Sequence, residues 1–192
     1  MVVMRGCSYI WIYIAVFFIS GCGKPEIETK ADLLGYIESH RDDFRKHRKF
    51  KELDVDVRCI PNELRKERGF DGGLSFVFAI SSGEQDFLKR YSHNYEEYRQ
   101  YKWYLMNSWK DFIYIEQEGR KVPPDIAQFE ERYELGKGCV YNIVFDRTQL
   151  KGEELTLVYD DQIFGMGKLK FQFDLSVLRD IPINEKTYYN TL

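Results

Sequence analysis

The chain has 192 residues, with 28 lysines and arginines against 31 aspartates and glutamates, so its formal net charge is −3 at pH 7. This length suits one domain with a substantial core. The slight acidic excess argues against non-specific binding to nucleic acid, and no nucleic-acid partner is expected.

The first 21 residues follow the order of a secretory signal peptide. Arg5 is the one charged side chain before an apolar run over residues 7–19, and the small residues 20–21 precede Cys22. A cationic start, an apolar segment of roughly 7–15 residues and small residues at the cleavage site define this pattern. The run is shorter than the roughly 20 residues that a membrane-spanning helix needs.

Residues 19–22, Ile-Ser-Gly-Cys, resemble the cleavage box of bacterial lipoproteins. In that class the cysteine thiol receives a diacylglycerol, and the signal is cut just before it. The resemblance implies that Cys22 carries the lipid and begins the mature chain. Residues 22–30 would then be the lipidated cysteine and a tether, and residues 31–192 a single globular domain. An uncleaved N-terminal anchor helix is the alternative, and it too keeps the protein at a membrane.

The residue after the cysteine bears on which membrane receives the protein. In the Gram-negative lipoprotein sorting rule, Asp at this position favours retention at the inner membrane. The chain has Gly23 instead, so the same resemblance implies passage to the outer membrane if the cell has one. The expected location is the cell envelope, with the membrane as a partner through the N-terminal lipid.

The first half of the domain shows two periodicities. Residues 29–49 repeat apolar side chains at helical spacing, with Thr29 as a candidate cap, so a helix is predicted there. Residues 51–60 alternate apolar and charged side chains up to Pro61, and residues 74–80 alternate again, which predicts two half-buried strands.

The second half is mostly strand-like. Residues 84–110 predict a helix that gives way to extended chain near residue 100. Strands are then predicted over residues 112–117, 140–145, 155–159 and 168–174, with a turn at 118–119 and an interruption at 123–124, where two prolines lie. The expected fold class is α+β and mainly β: an N-terminal helix followed by an antiparallel sandwich-like or partly open barrel-like sheet.

Four cysteines are present, and two remain once Cys7 leaves with the signal and Cys22 is acylated. Cys59 and Cys139 would then lie in an oxidising compartment, where two leftover cysteines are natural disulfide partners. The alternative is two buried free thiols that are too far apart to meet.

A cluster of aromatic residues is the candidate ligand-binding surface. If exposed, these rings would form a stacking platform for a glycan; the alternative is that they belong to the core. The cluster consists of Tyr98, Tyr101, Trp103, Tyr104 and Trp109.

The basic segment 41–51 is a second candidate surface. It lies soon after the tether, where cations would orient the domain on anionic headgroups. The alternative is the solvent-facing side of a helix.

No pattern indicates catalysis, a metal or a cofactor. His40 and His47 are seven residues apart on the predicted helix, which is too far for one metal ion. Asp160 and Asp161 could offer oxygens to calcium, but a solvated turn explains them as well. A hydrolase would need a concave site with a histidine or paired carboxylates in contact. The expected function is therefore non-enzymatic binding or scaffolding, with a protein or glycan partner in the envelope.

Overall fold

The computed structural model describes residues 26–66, 73–82, 88, 92–130 and 138–188. The predicted signal peptide, the Ile-Ser-Gly-Cys box and the lipidation site Cys22 lie outside the described residues, as do most of residues 83–91. Within the described ranges, no helix has the length and apolar character needed to cross a membrane.

The helices are short, and three of them begin at side-chain caps: Thr29, Asn94 and Asp174. Thr29 accepts a hydrogen bond from the Asp32 N–H at 3.2 Å, and the Asp32 carboxylate accepts one from the Thr29 N–H at 3.0 Å. This reciprocal pair satisfies two free donors at the start of the first helix and confirms the predicted cap. Asn94 accepts similarly from the Glu97 N–H. The described helices are α1 (Lys30–Ser39), α2 (Arg41–Phe44), α3 (Glu63–Lys66), α4 (Tyr95–Asn107), α5 (Leu175–Arg179) and α6 (Glu185–Tyr188), with 3-10 turns at Trp109–Phe112 and Arg147–Gln149.

The strands form two antiparallel sheets, as the mainly β prediction required. The first has the order β1-β2-β3-β7-β6 and the second β5-β4-β8-β9. The described strands are β1 (Arg45–Phe50), β2 (Leu53–Ile60), β3 (Gly73–Ser82), β4 (Ile113–Gln117), β5 (Arg120–Val122), β6 (Ile126–Glu130), β7 (Gly138–Asp146), β8 (Glu154–Asp160) and β9 (Lys168–Asp174).

The core lies between the inner faces of these sheets. Phe78 of β3 contacts the rings of Tyr159 and Phe171 in the second sheet, with centroid distances of 5.2 and 6.2 Å. Phe76 contacts Phe173 at 5.1 Å. Because the side chains of a strand alternate between faces, these rings share one buried layer.

Residues 45–50 are a strand, so the predicted continuation of the first helix to residue 49 is wrong. β1 pairs with β2 in a register that sets Arg45 against Arg58, His47 against Asp56 and Lys49 against Asp54. The carboxylates of β2 stabilise this cationic edge strand, and such a long-range partner cannot be detected from the local pattern.

Residues 101–105 are helical, so the predicted change to extended chain near residue 100 is also wrong. The residues Tyr101, Trp103 and Leu105 alternate as in a strand, but Tyr98, Tyr101 and Leu105 also lie on one side of a helix. Leu105 is buried and Trp103 is exposed, as the helical spacing requires.

The folded part of the chain begins before residue 31. Ile27 is 3% exposed and forms a parallel bridge with Ile183. Its N–H donates to the Pro182 carbonyl at 2.8 Å, and its carbonyl accepts from the Asn184 N–H at 2.9 Å. Residues 26–29 are therefore structured, although they fall within the predicted tether 22–30.

Candidate functional site

The five aromatic residues predicted as a platform do not share a surface. Trp109 is 1% exposed and stacks on Tyr141 in the core, with ring centroids 3.6 Å apart and planes 7° apart. Trp103 is 62% exposed. Tyr98, Tyr101 and Tyr104 are half-buried. The predicted exposed, coplanar platform is therefore wrong, because α4 distributes four of these rings around its circumference and Trp109 is buried in the 3-10 turn that follows.

The inner side of α4 explains the half-buried tyrosines. Tyr104 packs against Phe112 at a centroid distance of 5.3 Å, and Tyr101 donates to the Glu97 carboxylate at 2.8 Å. Burial raises the pKa of Tyr104, and the carboxylates of Asp161 and Asp160 add to the effect. Tyr104 therefore attaches α4 to the domain, whereas the bond of Tyr101 lies within α4.

The outer side of α4 has an exposed stripe, which we call the α4 stripe. It consists of Tyr95, Arg99, Trp103 and Met106. Tyr95 is 75% exposed and Met106 is 45% exposed. A shallow cleft of about 520 Å³ runs along it and is also lined by Glu96, Gln100, Lys102 and Asn107. Sequence reasoning missed Tyr95 and Met106 because it ended the helix between them.

The predicted Cys59–Cys139 disulfide is also wrong, because both residues are buried free thiols. Cys59 lies opposite Phe76 of β3, and Cys139 lies opposite Ile80 on the other side of the same strand. A whole strand and a four-residue offset separate them, roughly 10 Å across and 14 Å along the sheet. A disulfide requires Cα atoms within about 7 Å. Burial raises the pKa of Cys59 and raises that of Cys139 to about 12.

His40 lies in a concave site, as a hydrolase would require. A cleft of about 620 Å³ between α1 and residues 180–182 includes Tyr36, Ser39 and His40. The His40 ring stacks on Tyr36 at 4.1 Å, and its Nδ1 lies 2.9 Å from the Tyr36 carbonyl and 3.0 Å from Ser39 Oγ.

The hydrogen-bond directions in this cleft do not favour a nucleophile. A carbonyl oxygen only accepts, so His40 Nδ1 carries the proton when it bonds to Tyr36. Ser39 Oγ donates to the same carbonyl at 2.8 Å, so its proton points away from the imidazole. Both side chains bond to a carbonyl in the last turn of α1 that also accepts the His40 backbone N–H at 3.0 Å. Burial raises the pKa of Tyr36, helped by the carboxylates of Asp43 and Asp180.

The other histidines form exposed pairs with carboxylates. His47 contacts Asp54 across β1 and β2 at 3.0 Å. His93 contacts Glu97 at 2.8 Å, just before α4. The pKa of Glu97 is lowered to about 2, chiefly by a hydrogen bond from the His93 N–H and then by the Tyr101 hydroxyl. The contact of His47 lies between two paired strands, and the contact of His93 lies at the start of a helix.

Asp161 uses its carboxylate within its own loop. It accepts hydrogen bonds from the N–H groups of Phe164 at 2.9 Å and Met166 at 2.8 Å, and from the Tyr159 hydroxyl at 3.1 Å. Asp160 instead pairs with Lys168 at 3.1 Å. Because backbone N–H groups bond to the Asp161 oxygens, a calcium site at this loop would lack the Asp161 carboxylate as a ligand. Among the described residues, no group of three or more His, Cys, Asp or Glu side chains could hold a metal ion.

The basic segment 41–51 lies beside acidic residues. Asp56 accepts from Arg58 at 2.6 Å and also from Arg45. Lys46 donates to the Asp42 carbonyl and lies 5.6 Å from the Phe173 ring centroid. Within the segment, Asp56 therefore offsets the charge of Arg45, whereas Arg48, Lys49 and Lys51 are exposed. Headgroup binding by this segment stays a prediction.

Comparison with protein-family models, with curated proteins and with solved structures found no match for this chain.

Proposed function

We propose that this chain is a lipid-anchored cell-envelope protein whose folded domain binds or scaffolds a partner at the membrane surface. The proposal rests on one observation: an apolar run over residues 7–19 leads into Ile-Ser-Gly-Cys at 19–22. Cleavage before Cys22 leaves a cysteine whose acyl chains each contribute about 0.8 kcal/mol per buried CH₂ group.

The position of Ile27 supports this proposal. Ile27 is buried against the C-terminal segment, so the domain starts five residues after Cys22. Five extended residues reach at most about 18 Å. The tether would therefore keep the domain close to the bilayer, on the outer membrane if Gly23 directs it there.

We infer that the two sheets form a sandwich-like scaffold, with α1 as an N-terminal helix beside the tether. A rigid scaffold suits a binding or docking role, because it presents surfaces at little cost in conformational entropy. The proton arrangement at Ser39 and His40 and the internal bonds of Asp161 favour this role over hydrolysis.

The lipid anchor can be tested by metabolic labelling with an alkyne fatty acid in a bacterial host. We expect the wild-type chain and a Cys7→Ala variant to take up label and to be shortened by 21 residues. Cys22→Ala should remain unlabelled and unprocessed, because it lacks the acceptor sulfur. Cys7→Ala is the matched control, since it changes a cysteine in the same signal. Equal labelling of wild type and Cys22→Ala would refute the proposal.

A further inference from the structure

β1 lies at the edge of the first sheet. It pairs with β2 along one side, and no described strand lies along its other side. An edge strand presents a row of backbone N–H and C=O groups to which another extended chain can add. The free backbone groups and the charge of β1 decide which chain fits there.

Two N–H groups of β1 point away from β2. Phe50 and Leu53 face each other across a two-residue turn, so their backbones exchange hydrogen bonds. Bonded and non-bonded pairs alternate along antiparallel strands, which places Lys49 and His47 in non-bonded pairs. Their N–H groups therefore face outward, about 7 Å apart, and neither has a backbone acceptor within the described ranges.

The side chains of β1 carry positive charge on both faces of the sheet. Lys46 and Arg48 point to one face and Lys49 to the other. In the part of the chain that the structure describes, none of these three cations contacts a carboxylate. On β9, the edge strand of the second sheet, Lys168 and Lys170 are both paired with acidic side chains. β1 is therefore an edge whose positive charge is left for a partner.

A cleft of about 680 Å³ lies beside the first part of β1. Its lining includes four cationic side chains, Arg41, Arg45, Lys46 and Arg48, and one carboxylate, Asp42. The surface next to this edge is therefore concave and positively charged.

We propose that β1 binds an acidic, extended segment of a partner protein, which adds a strand to the first sheet at this edge. The inference deepens the proposed function and rests on its binding role, but it needs no lipid. The N–H groups of His47 and Lys49 donate to backbone carbonyls of the segment, and acidic side chains on either side of it meet Lys46, Arg48 and Lys49. Main-chain bonds of this kind and opposite charges on adjacent strands are both stabilising.

The same features disfavour two other occupants. Like charges on adjacent strands are destabilising, so the β1 of a second copy would be repelled. A bilayer surface supplies anionic headgroups but no chain with carbonyl groups at the spacing of a strand. An acidic segment matches the charge and the backbone together.

The test uses the mature chain, produced without residues 1–21 and with Cys22→Ala, and a synthetic nine-residue peptide that alternates glutamate and threonine. Amide hydrogen exchange, followed by NMR at saturating peptide, monitors each N–H group. We expect exchange at His47 and Lys49 to slow by about tenfold or more, because both N–H groups gain acceptors. The Arg48 N–H already bonds to β2, so its exchange should change much less.

Two substitutions at one position separate the backbone from the charge. Lys49→Gln removes the cation, and Lys49→Pro removes the cation and the outward N–H while leaving the bonds between β1 and β2. Fluorescence anisotropy should show a loss of peptide affinity of about two- to threefold for Lys49→Gln and about tenfold or more for Lys49→Pro. Equal losses would overturn strand addition. If Lys49→Pro lowers the urea midpoint, the exchange result at His47 and Lys49 in the unsubstituted chain decides.

The other outcomes also decide the inference. Peptide binding without slower exchange at His47 and Lys49 would show attraction by charge alone and overturn it. Absence of binding at millimolar peptide would overturn it too, and binding to phosphatidylglycerol vesicles instead would assign these cations to headgroups. Slower exchange at the same two residues on raising the protein concentration without peptide would assign the edge to a second copy.

This inference and the anchor can fail separately. The peptide experiment uses a chain without the acceptor sulfur, so its result does not depend on lipidation. Failure of the peptide to bind would refute strand addition and leave the anchor intact. Failure of the fatty acid to label the wild-type chain would refute the anchor and leave the exchange result unchanged.

Discussion

At the scale of single residues, Asp161 is held by several hydrogen bonds. It is 9% exposed, and its carboxylate accepts bonds from three N–H groups and from the Tyr159 hydroxyl. The loop that it organises contains Gly165 and Gly167, with φ values of 72° and 67°, where a side chain would be strained. The sequence suggests a calcium ligand or a solvated turn here, because burial and backbone donors cannot be inferred from two adjacent acidic residues.

Asp161→Ala should destabilise the domain by about 3 kcal/mol, because several buried donors lose a charged acceptor. Asp160→Ala is the matched control and should change the free energy of unfolding by less than about 1 kcal/mol, since its pair with Lys168 is partly exposed. Urea denaturation monitored by circular dichroism measures both. Similar losses in the two variants would contradict the role given to Asp161.

Buried thiols and tyrosine hydroxyls also determine how the stability of the domain responds to alkaline pH. The pKa values of the Cys59 and Cys139 thiols and of the Tyr141 and Tyr159 hydroxyls are raised by burial. In the unfolded chain a thiol ionises near pH 8.5 and a tyrosine near pH 10. The folded state keeps these protons, so its stability is complete below those values and falls as the pH rises through them.

We therefore expect the urea midpoint to be constant from pH 6 to pH 8 and to fall above about pH 8.5. By pH 10 each thiol costs up to about 2 kcal/mol of stability. The double variant Cys59→Ala and Cys139→Ala should lose the part of this decline that begins near pH 8.5 and keep the part due to tyrosine. A midpoint that rises between pH 8 and pH 10 would be inconsistent with protonated, buried thiols.

At the scale of elements, α4 shows what a local pattern can and cannot predict. Its tyrosines fit a helical spacing. The local pattern groups Trp103 and Trp109 in one aromatic cluster, and it does not reveal that Trp103 is exposed and Trp109 is buried. The strands with clean alternation, such as β2 and β3, were predicted almost to their ends. β1, β5 and β6 have polar or short sequences and are stabilised by neighbouring strands, so their presence depends on partners distant in the chain.

The two tryptophans make the division of α4 into sides testable. Trp109→Ala should lower the free energy of unfolding by about 3–5 kcal/mol, because it leaves a cavity beside Tyr141 and Phe78. Trp103→Ala should change it by less than about 0.5 kcal/mol, as is usual for surface substitutions. Chemical denaturation of the mature chain, produced without residues 1–21 and with Cys22→Ala, gives both values. A large loss for Trp103→Ala would place its ring in the core and remove the basis of the α4 stripe.

At the scale of the whole molecule, the sequence predicts a mainly β, antiparallel fold, but it leaves a sandwich and a partly open barrel as alternatives and does not predict the spatial pairing. The disulfide prediction is wrong because the cysteines lie on strands on either side of β3. The order of strands in a sheet cannot be predicted from the spacing of two cysteines in the sequence. The local pattern places Ile27 in the predicted tether, because its partner, Ile183, is far along the chain. The prediction of an aromatic platform is wrong for a local reason: the sequence predicts that the helix ends near residue 100, whereas α4 continues to Asn107.

The most direct test of the lipid anchor is the mass of the N-terminal peptide from the mature protein, isolated from a bacterial envelope. The account predicts a peptide that begins at Cys22 and carries a diacylglycerol on its sulfur. It also predicts that the next residues, Gly23 to Glu26, are the whole connection before the buried Ile27. A mature chain that keeps residues 1–21, or that begins at another residue without lipid, would contradict the account.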